Sequence, residues 1–542
     1  MPPLDKDTPK CYNISDYYER KALKMKAKKK ILSGLLCASI ILLSACSSGE
    51  NGGPVNEANV PASTTTTQAL DNEIDYGSMA DIGEVDEANE DGVGPAYVKG
   101  QLAGEVRALC YYDIADQEKE TAQLFAERFG GTLTTEKASW SEWWDKLGTY
   151  IATGNSPDLV RYDWIAFPCY ASKNTYTPLD DWLDMDADLW SDIKSVIQSF
   201  DYAGKHFYFP SDVMPGFTIT YNRASVLEAG LKDPLELYRE NNWNWNTFKE
   251  LAAQWVDKDP ENNEGLRGNK WMGLMFTNTT GVKMLDVTGT DIVNNLRNEN
   301  VERAMSFLSD MRKQGLIGDG YVDPGSAFAD GSLLFLAMES EWTFESAQQG
   351  LFNNGLEGEI VTIPMPKDPN SDKYYIAADT FGYMVPAGAS NVQGGVDWIL
   401  ANRIYESDPE TKAADLAYKT STDPVYYDLC PGCRYDFTAN DNSLTVCPEC
   451  DTARKEKFKA VYSKEQYDLI DEMIHSDKFE LVFDNAMGID GGITDIMTAT
   501  DEALIDGVTF HDASYTSVLN SKYEAIEAFI QPYRDALTKA AQ

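Results

Sequence analysis

Past residue 104 the chain alternates between short continuous apolar runs and stretches with an apolar residue every three or four positions. Glu105–Tyr112 (EVRALCYY) has the pattern of a buried strand. Gln117–Phe129 follows as a helix stopped by Gly130-Gly131, and Thr132–Glu136 as a short strand. Ser139-Trp140-Ser141-Glu142 has the spacing of a capping box, in which the Ser oxygen accepts a backbone N–H and the Glu reaches back. The helix it opens carries Trp144, Leu147 and Ile151 on one face and ends at Gly154; Pro157-Asp158-Leu159-Val160 then enters another strand. Strand and helix in alternation predict an α/β sheet with mostly parallel strands. At the far end, Ser521–Ala540 reads as an amphipathic helix whose stripe of Tyr523, Ile526, Phe529, Ile530 and Tyr533 is most simply core.

One apolar run is of another kind. Lys26–Lys30 (KAKKK) precedes Ile31–Leu43, and Leu43-Ser44-Ala45-Cys46 follows: a basic region, an apolar region and a small-residue cleavage site, the three parts of a secretory signal. Thirteen residues are too few for a membrane span, which needs about 20. The Leu-Ser-Ala-Cys ending resembles the lipobox of bacterial lipoproteins. That resemblance implies cleavage before Cys46, lipidation of its thiol by several acyl groups such as palmitate, and a chain held at the extracytoplasmic face of the cell membrane. Residues 1–45 form the signal region, with Met25 as an alternative start. From Ser47 to Val98 there are eleven Asp or Glu residues and no Lys or Arg. Such a stretch buries too little apolar surface to offset chain entropy, so residues 46–98 are expected to be a disordered, self-repelling acidic tether.

The remaining 440 or so residues exceed one hydrophobic core, which predicts more than one domain. The whole chain has 46 Lys or Arg against 87 Asp or Glu, a net charge of −41. This argues against nucleic acid, which needs a basic footprint, and against electrostatic docking on anionic lipid. Known nucleophile, phosphate-loop and His-based zinc motifs are absent from the sequence. Asp184-x-Asp186-x-Asp188 begins like a calcium loop, but Leu189 and Ser195 occupy the positions that need Gly and Glu.

Cys430-Pro-Gly-Cys433 and Cys447-Pro-Glu-Cys450 form two C-x2-C knuckles. Their spacing matches zinc ribbons, in which four thiolates hold a structural zinc, or iron, with no open coordination position. Two disulfides are the competing reading, which an extracytoplasmic location permits. Cys110 is expected to be a small apolar core residue.

Several segments, in order, resemble the extracellular solute-binding proteins of ABC transporters, family 1, the sugar-binding group. They are the opening strand and helix with Pro157-Asp158-Leu159, Gly204–Pro210 (GKHFYFP) before Tyr221-Asn222-Arg223, and Asn244–Phe248 (NWNTF). Met338–Trp342, Ile363–Pro366 (IPMP), Gly382–Pro386 (GYMVP) and Val396–Leu400 (VDWIL) complete the series. The likeness covers roughly residues 104–402. It implies an α/β, two-lobe periplasmic-binding-protein-like fold (type II) with the four-Cys element as a small insertion that departs from the family pattern. The expected parts are a first lobe over 99–223, a second over 224–378, a return over 379–423, a metal knob over 424–455, and helices completing the lobes over 456–542. The implied function is capture of a carbohydrate, an oligosaccharide, for the permease subunits of an ABC transporter, by a monomer with no catalytic cofactor. A surface-anchored glycan hydrolase and a binding protein serving a sensor are the alternatives.

A sugar needs aromatic platforms and polar acceptors. By position in such a fold, Trp140, Trp164, Trp342, Asp379 and Phe381 are the expected ligand contacts, with Tyr208 and Asp212 behind them. Trp243 and Trp245 are expected to be structural.

Overall fold

The computed structural model describes the chain from residue 92 onward, apart from residues 141, 269–270, 290, 319–321, 323–326, 341–342, 344–359, 421–424, 427–429, 431–432, 434, 436, 438–442, 455, 458–463, 484–514 and 541–542. The signal region, Cys46, the tether up to Asp91, and Trp342 lie outside the described residues. The segment from Gly92 is packed rather than tethering. Val93 bridges to Leu183, Gly94 N–H donates to Trp182 O, and Tyr97 Oη donates to the buried Asp397 (2.6 Å).

The chain opens as its pattern predicts. Strand β1 (Gly104–Cys110) leads to helix α1 (Lys119–Phe129), which buries Leu124, Phe125 and Phe129. Gly130 ends α1 with φ of 62°, a left-handed conformation that favours glycine. At Gly131 a Cβ would fall 2.2 Å from the Phe125 ring, so the pair Gly130-Gly131 is a turn followed by a close approach. Strand β2 (Gly131–Lys137) and helix α2 (Trp143–Thr153) follow, then β3 (Leu159–Arg161). The expected capping box did not form. Ser139 Oγ donates to Glu142 Oε2 (2.6 Å), and α2 starts later, at Trp143. The apolar Trp143-Trp144 pair draws the helix start toward the core: both are buried, Trp143 edge-on to Tyr111 and Trp144 stacked on Tyr170.

Strand β4 (Phe209–Pro215) and strand β5 (Phe217–Asn222) are separated by Gly216 alone, yet belong to different sheets. The Gly216 amide donates to Ala377 O (2.7 Å), its carbonyl accepts from Ser340 N (2.9 Å), and a Cβ there would lie 3.3 Å from the Ala377 backbone. Beyond it come α3 (Trp245–Val256), β6 (Glu264–Gly268), α4 (Met272–Asn278), α5 (Glu299–Lys313), β7 (Leu333–Glu339) and β8 (Ile360–Pro364). Asn244 caps α3 in a reciprocal capping box with Thr247. Trp243 and Trp245 are buried as structural residues, their indoles donating to Pro364 O and Thr279 Oγ1. Strand β9 (Tyr374–Met384) returns to the first sheet, followed by α6 (Val392–Ser407), α7 (Lys464–His475), β10 (Phe479–Val482) and α8 (Tyr515–Ala540). Helix α6 is buried from Gln393 to Ile404, and its buried polar residues are bonded: Asp397 accepts from Tyr97, Gln393 donates to Val98 O, Asn402 donates to Glu118 and Arg403 to Asp192. The α8 stripe is core at Ile526, Ile530, Tyr533 and Leu537.

Two sheets result. The first has the order β10-β9-β3-β1-β2, with β4 also on β9; the second has the order β8-β5-β7-β6. The mostly parallel expectation holds for β1 with β2 and β3, but in the second sheet only β6 and β7 pair in parallel. The reason is the direct passage at Gly216. A chain that crosses between sheets without a helical crossover meets its neighbours antiparallel.

Candidate functional site

Parallel strands deliver the residues that follow them to one edge, and in α/β sheets that edge is where ligands bind. Strands β1, β2 and β3 end at Cys110, Lys137 and Arg161, so Tyr111, Trp140, Asp163 and Trp164 are delivered together. Strand β9 runs antiparallel to β3, with Tyr383 opposite Arg161; Phe381 and Asp379, which precede Tyr383, therefore reach the same edge.

Hydrogen bonds and rings tie these residues together. Trp140 Nε1 donates to Asp163 Oδ2 (3.0 Å), and the Ile165 amide lies 3.4 Å from Asp163 Oδ1 at the start of the turn that holds Trp164. Arg161 Nη1 donates to Tyr111 Oη (3.0 Å). Its guanidinium lies 5.4 Å from the Phe381 ring centre and within 6 Å of those of Tyr111 and Tyr112. Asp379 Oδ1 accepts from the Thr380 amide (2.8 Å). Burial raises the pKa values of both Asp163 and Asp379; the Trp140 bond and then Arg161 oppose this at Asp163, the Thr380 amide and then Arg161 at Asp379. Asp379 is nonetheless exposed. The edge thus offers flat rings, one cation and a carboxylate acceptor, a set that can hold a polar solute in orientation.

The four-Cys element is a separate compact unit, residues 428–453 among those described. Its four cysteines are not joined in disulfides, and all Sγ atoms lie within 4.8 Å of one another. The two knuckles repeat each other. Cys430 N donates to Tyr435 O and Cys447 N to Thr452 O, both at 2.8 Å, and in each pair the first Cys is buried and the second exposed. Phe437, Tyr435 and Leu444 pack on the buried pair. Hydrogen bonds from the Thr452 side chain and backbone pull the Cys450 thiol down to about 6.

The profile of bacterial extracellular solute-binding proteins matches residues 120–425, more than half of the chain. The chain belongs to that family. The solute-binding protein is therefore extracytoplasmic in its work, and no described helix is long and apolar enough to cross a membrane. Solved structures share the fold at low identity. An ABC substrate-binding protein from Listeria monocytogenes in complex with cycloalternan is 14% identical, with 79% of this chain and 99% of that one covered and a TM-score of 0.53. A cyclic alpha-maltosyl-1,6-maltose binding protein from Arthrobacter globiformis is 14% identical over 81% and 100%, TM-score 0.52. UgpB from Mycobacterium tuberculosis, in complex with glycerophosphocholine, is 15% identical over 79% and 99%, TM-score 0.52.

Of the solute-binding protein's expected contacts, Trp140, Trp164, Asp379 and Phe381 are placed on this edge. Tyr208 is not. It is fully buried, stacked on Tyr162 at 4.0 Å with its hydroxyl donating to Thr380 Oγ1, so it packs behind the edge. Asp212 is half-buried and stands opposite Phe381 in the β4–β9 pairing; burial raises its pKa, opposed by the Val213 amide and then by Lys412, Arg403 and His475. Sequence reasoning passed over Tyr111, Arg161 and Asp163. The signal available was position: the aromatic pair Tyr111-Tyr112 at the carboxyl end of a buried strand, and charges at the end of β3. Trp271, just after β6, holds the matching place in the second sheet.

Proposed function

We propose that this solute-binding protein captures a carbohydrate and passes it to the permease subunits of an ABC transporter, as a monomer held to the cell membrane through lipidated Cys46. The observation that carries the reading is the strand-end edge itself. The Trp140 and Trp164 rings suit the flat C–H faces of a sugar, and Asp379 and Arg161 suit its hydroxyls. Two proteins of the same fold, one in complex with cycloalternan and one a cyclic alpha-maltosyl-1,6-maltose binding protein, support the choice of solute class. Trp342, three positions beyond β7 in the sequence, belongs to the proposed contact set. Closure of the two lobes on a solute that touches both would favour the closed state.

The reading is of a binder without catalysis. Asp163, with both carboxylate oxygens hydrogen-bonded within the protein, is not free to act beside Asp379 as the second carboxylate of a glycan hydrolase.

Cys430, Cys433, Cys447 and Cys450 are proposed to hold a structural zinc. Two of their Sγ···Sγ separations are 3.5 and 3.6 Å, close to the ~3.8 Å edge of a tetrahedron with Zn–S bonds of about 2.3 Å, whereas a disulfide needs about 2.05 Å. The ion would supply cross-linking only, since four thiolates leave no open position.

The deciding experiment is thermal unfolding of the full chain against a panel of mono- and oligosaccharides. A solute that binds only the folded state adds RT ln(1 + [L]/Kd), about 2.7 kcal/mol at a hundredfold excess over Kd. A shift for one sugar class, with that sugar recovered intact, supports the reading; recovery of cleaved sugar would overturn it in favour of a hydrolase.

A further inference from the structure

We infer that Asp163 is a positioning residue of the solute site, fixing two tryptophans without touching the solute. The inference rests on the carbohydrate reading above. Strands β2 and β3 do not pair with each other; β1 lies between them. The Trp140–Asp163 bond therefore joins the loops after two non-adjacent strands and closes over the end of the strand between them, where Tyr111 stands. The same carboxylate starts the turn 164–166 through its other oxygen, at 3.4 Å from the Ile165 amide. One buried side chain thus sets the attitude of Trp140 and the path of the backbone that carries Trp164.

The division of labour with Asp379 follows from geometry. Asp163 is nearly closed to solvent and both its oxygens are engaged, so it has nothing left to offer a hydroxyl. Asp379 is exposed, and only its Oδ1 is engaged, by the adjacent Thr380 amide. Trp140 has its N–H committed to Asp163, so it presents a ring face and not a donor. A ring fixed before the solute arrives needs no ordering on binding, which is how a residue that never touches the solute raises affinity.

The test is a double-mutant cycle in the full chain, read by calorimetric titration with the saccharide that stabilises the wild type and by near-ultraviolet circular dichroism without it. Asp163→Ala is expected to weaken binding about tenfold and to reduce the tryptophan dichroism of the unliganded protein. Asp163→Asn, whose amide oxygen still accepts the indole N–H, is expected to restore both. Trp140→Phe, which keeps a ring but loses the N–H, is expected to cost about as much as Asp163→Ala, and the double variant no more than either. Equal affinity of Asp163→Ala and wild type would overturn the inference, and so would losses that simply add. If Asp163→Ala does not fold, the Asp163→Asn and Trp140→Phe arms decide: a full loss in Asp163→Asn with a native Trp140→Phe rejects the indole lock. Failure of the wild type to bind any saccharide would reject the proposed solute class instead, and the dichroism arms would still test the lock.

Discussion

The four-Cys unit and the strand-end edge place their chemistry in opposite ways. In the first, four functional atoms come from 21 residues of chain, and the two knuckles repeat one backbone pattern, with Cys430 bonded to Tyr435 and Cys447 to Thr452. In the second, Tyr111, Trp140, Asp163 and Asp379 come from segments up to 268 positions apart and meet only because β1, β2, β3 and β9 are laid side by side. A site written locally can be lost without disturbing the fold around it. A site assembled from a distance depends on everything behind it.

Metal removal gives the largest expected contrast. Chelation, or Cys447→Ser, is expected to abolish metal binding, which in small zinc modules is linked to about 10–16 kcal/mol of apparent free energy, while saccharide affinity stays at its native value. Native mass spectrometry of the full chain, with solute titration on the same samples, reads both. Loss of saccharide binding together with the metal would break the comparison, because the local unit would then be supporting the distant one. Disulfides at these four Cys in the purified protein would remove the metal reading altogether.

That contrast also explains what was legible from sequence. The Cys spacing, the Asn244 cap and the Gly130 stop are each complete within a few residues, so the sequence displays them whole. Trp140 and Asp379 could be singled out only by assuming the topology that brings them together. Tyr208 and Asp212 show the same limit: what surrounds a side chain on or beside β4 is set by distant chain, Tyr162 and Thr380 for Tyr208 and Phe381 of β9 for Asp212. Asp163 does not stand out in the sequence, because its importance lies in a bond to a residue 23 positions away.

The two regions are expected to respond to pH with opposite signs. Glu118 lies behind the edge, accepting from Tyr383 of β9 and from Asn402 of α6, and burial pushes its carboxyl up from 4.5 to about 7. Below about 4.5 the group is protonated folded and unfolded alike. Between 4.5 and 7 only the folded chain keeps the proton, so stability falls as pH rises, by about 3 kcal/mol in all. Asp397, pushed to about 7 by burial against the Tyr97 bond, adds in the same direction. Metal in the Cys unit needs thiolates, so its retention improves as pH rises. Urea unfolding at pH 5 and 7 is expected to show a smaller decline for Glu118→Gln than for wild type. An equal decline would place the proton elsewhere.

Trp140→Ala tests the assembled site alone. Loss of one aromatic platform is expected to cost about 2 kcal/mol of saccharide binding, roughly thirtyfold in Kd, with unfolding and metal content nearly unchanged. The ring is only half-buried, so little core is lost with it. A native Kd would remove Trp140 from the site and with it the reason for the Asp163 lock.

The smallest effect belongs to the feature most plainly written in the sequence. Asn244 accepts from the amides of Asn246 and Thr247, and Thr247 Oγ1 accepts from the Asn244 amide. Asn244→Ala leaves these N–H groups without their side-chain partner and is expected to cost about 1 kcal/mol in urea unfolding, with no change in saccharide affinity or metal content. The cap is local, like the Cys unit, but it sits on a helix whose Trp245, Phe248 and Trp255 are buried, and that packing sustains the helix when one bond is lost. If Asn244→Ala costs several kcal/mol, a local signal would be carrying tertiary weight, and the separation between what is written locally and what is assembled at a distance would fail at its simplest point.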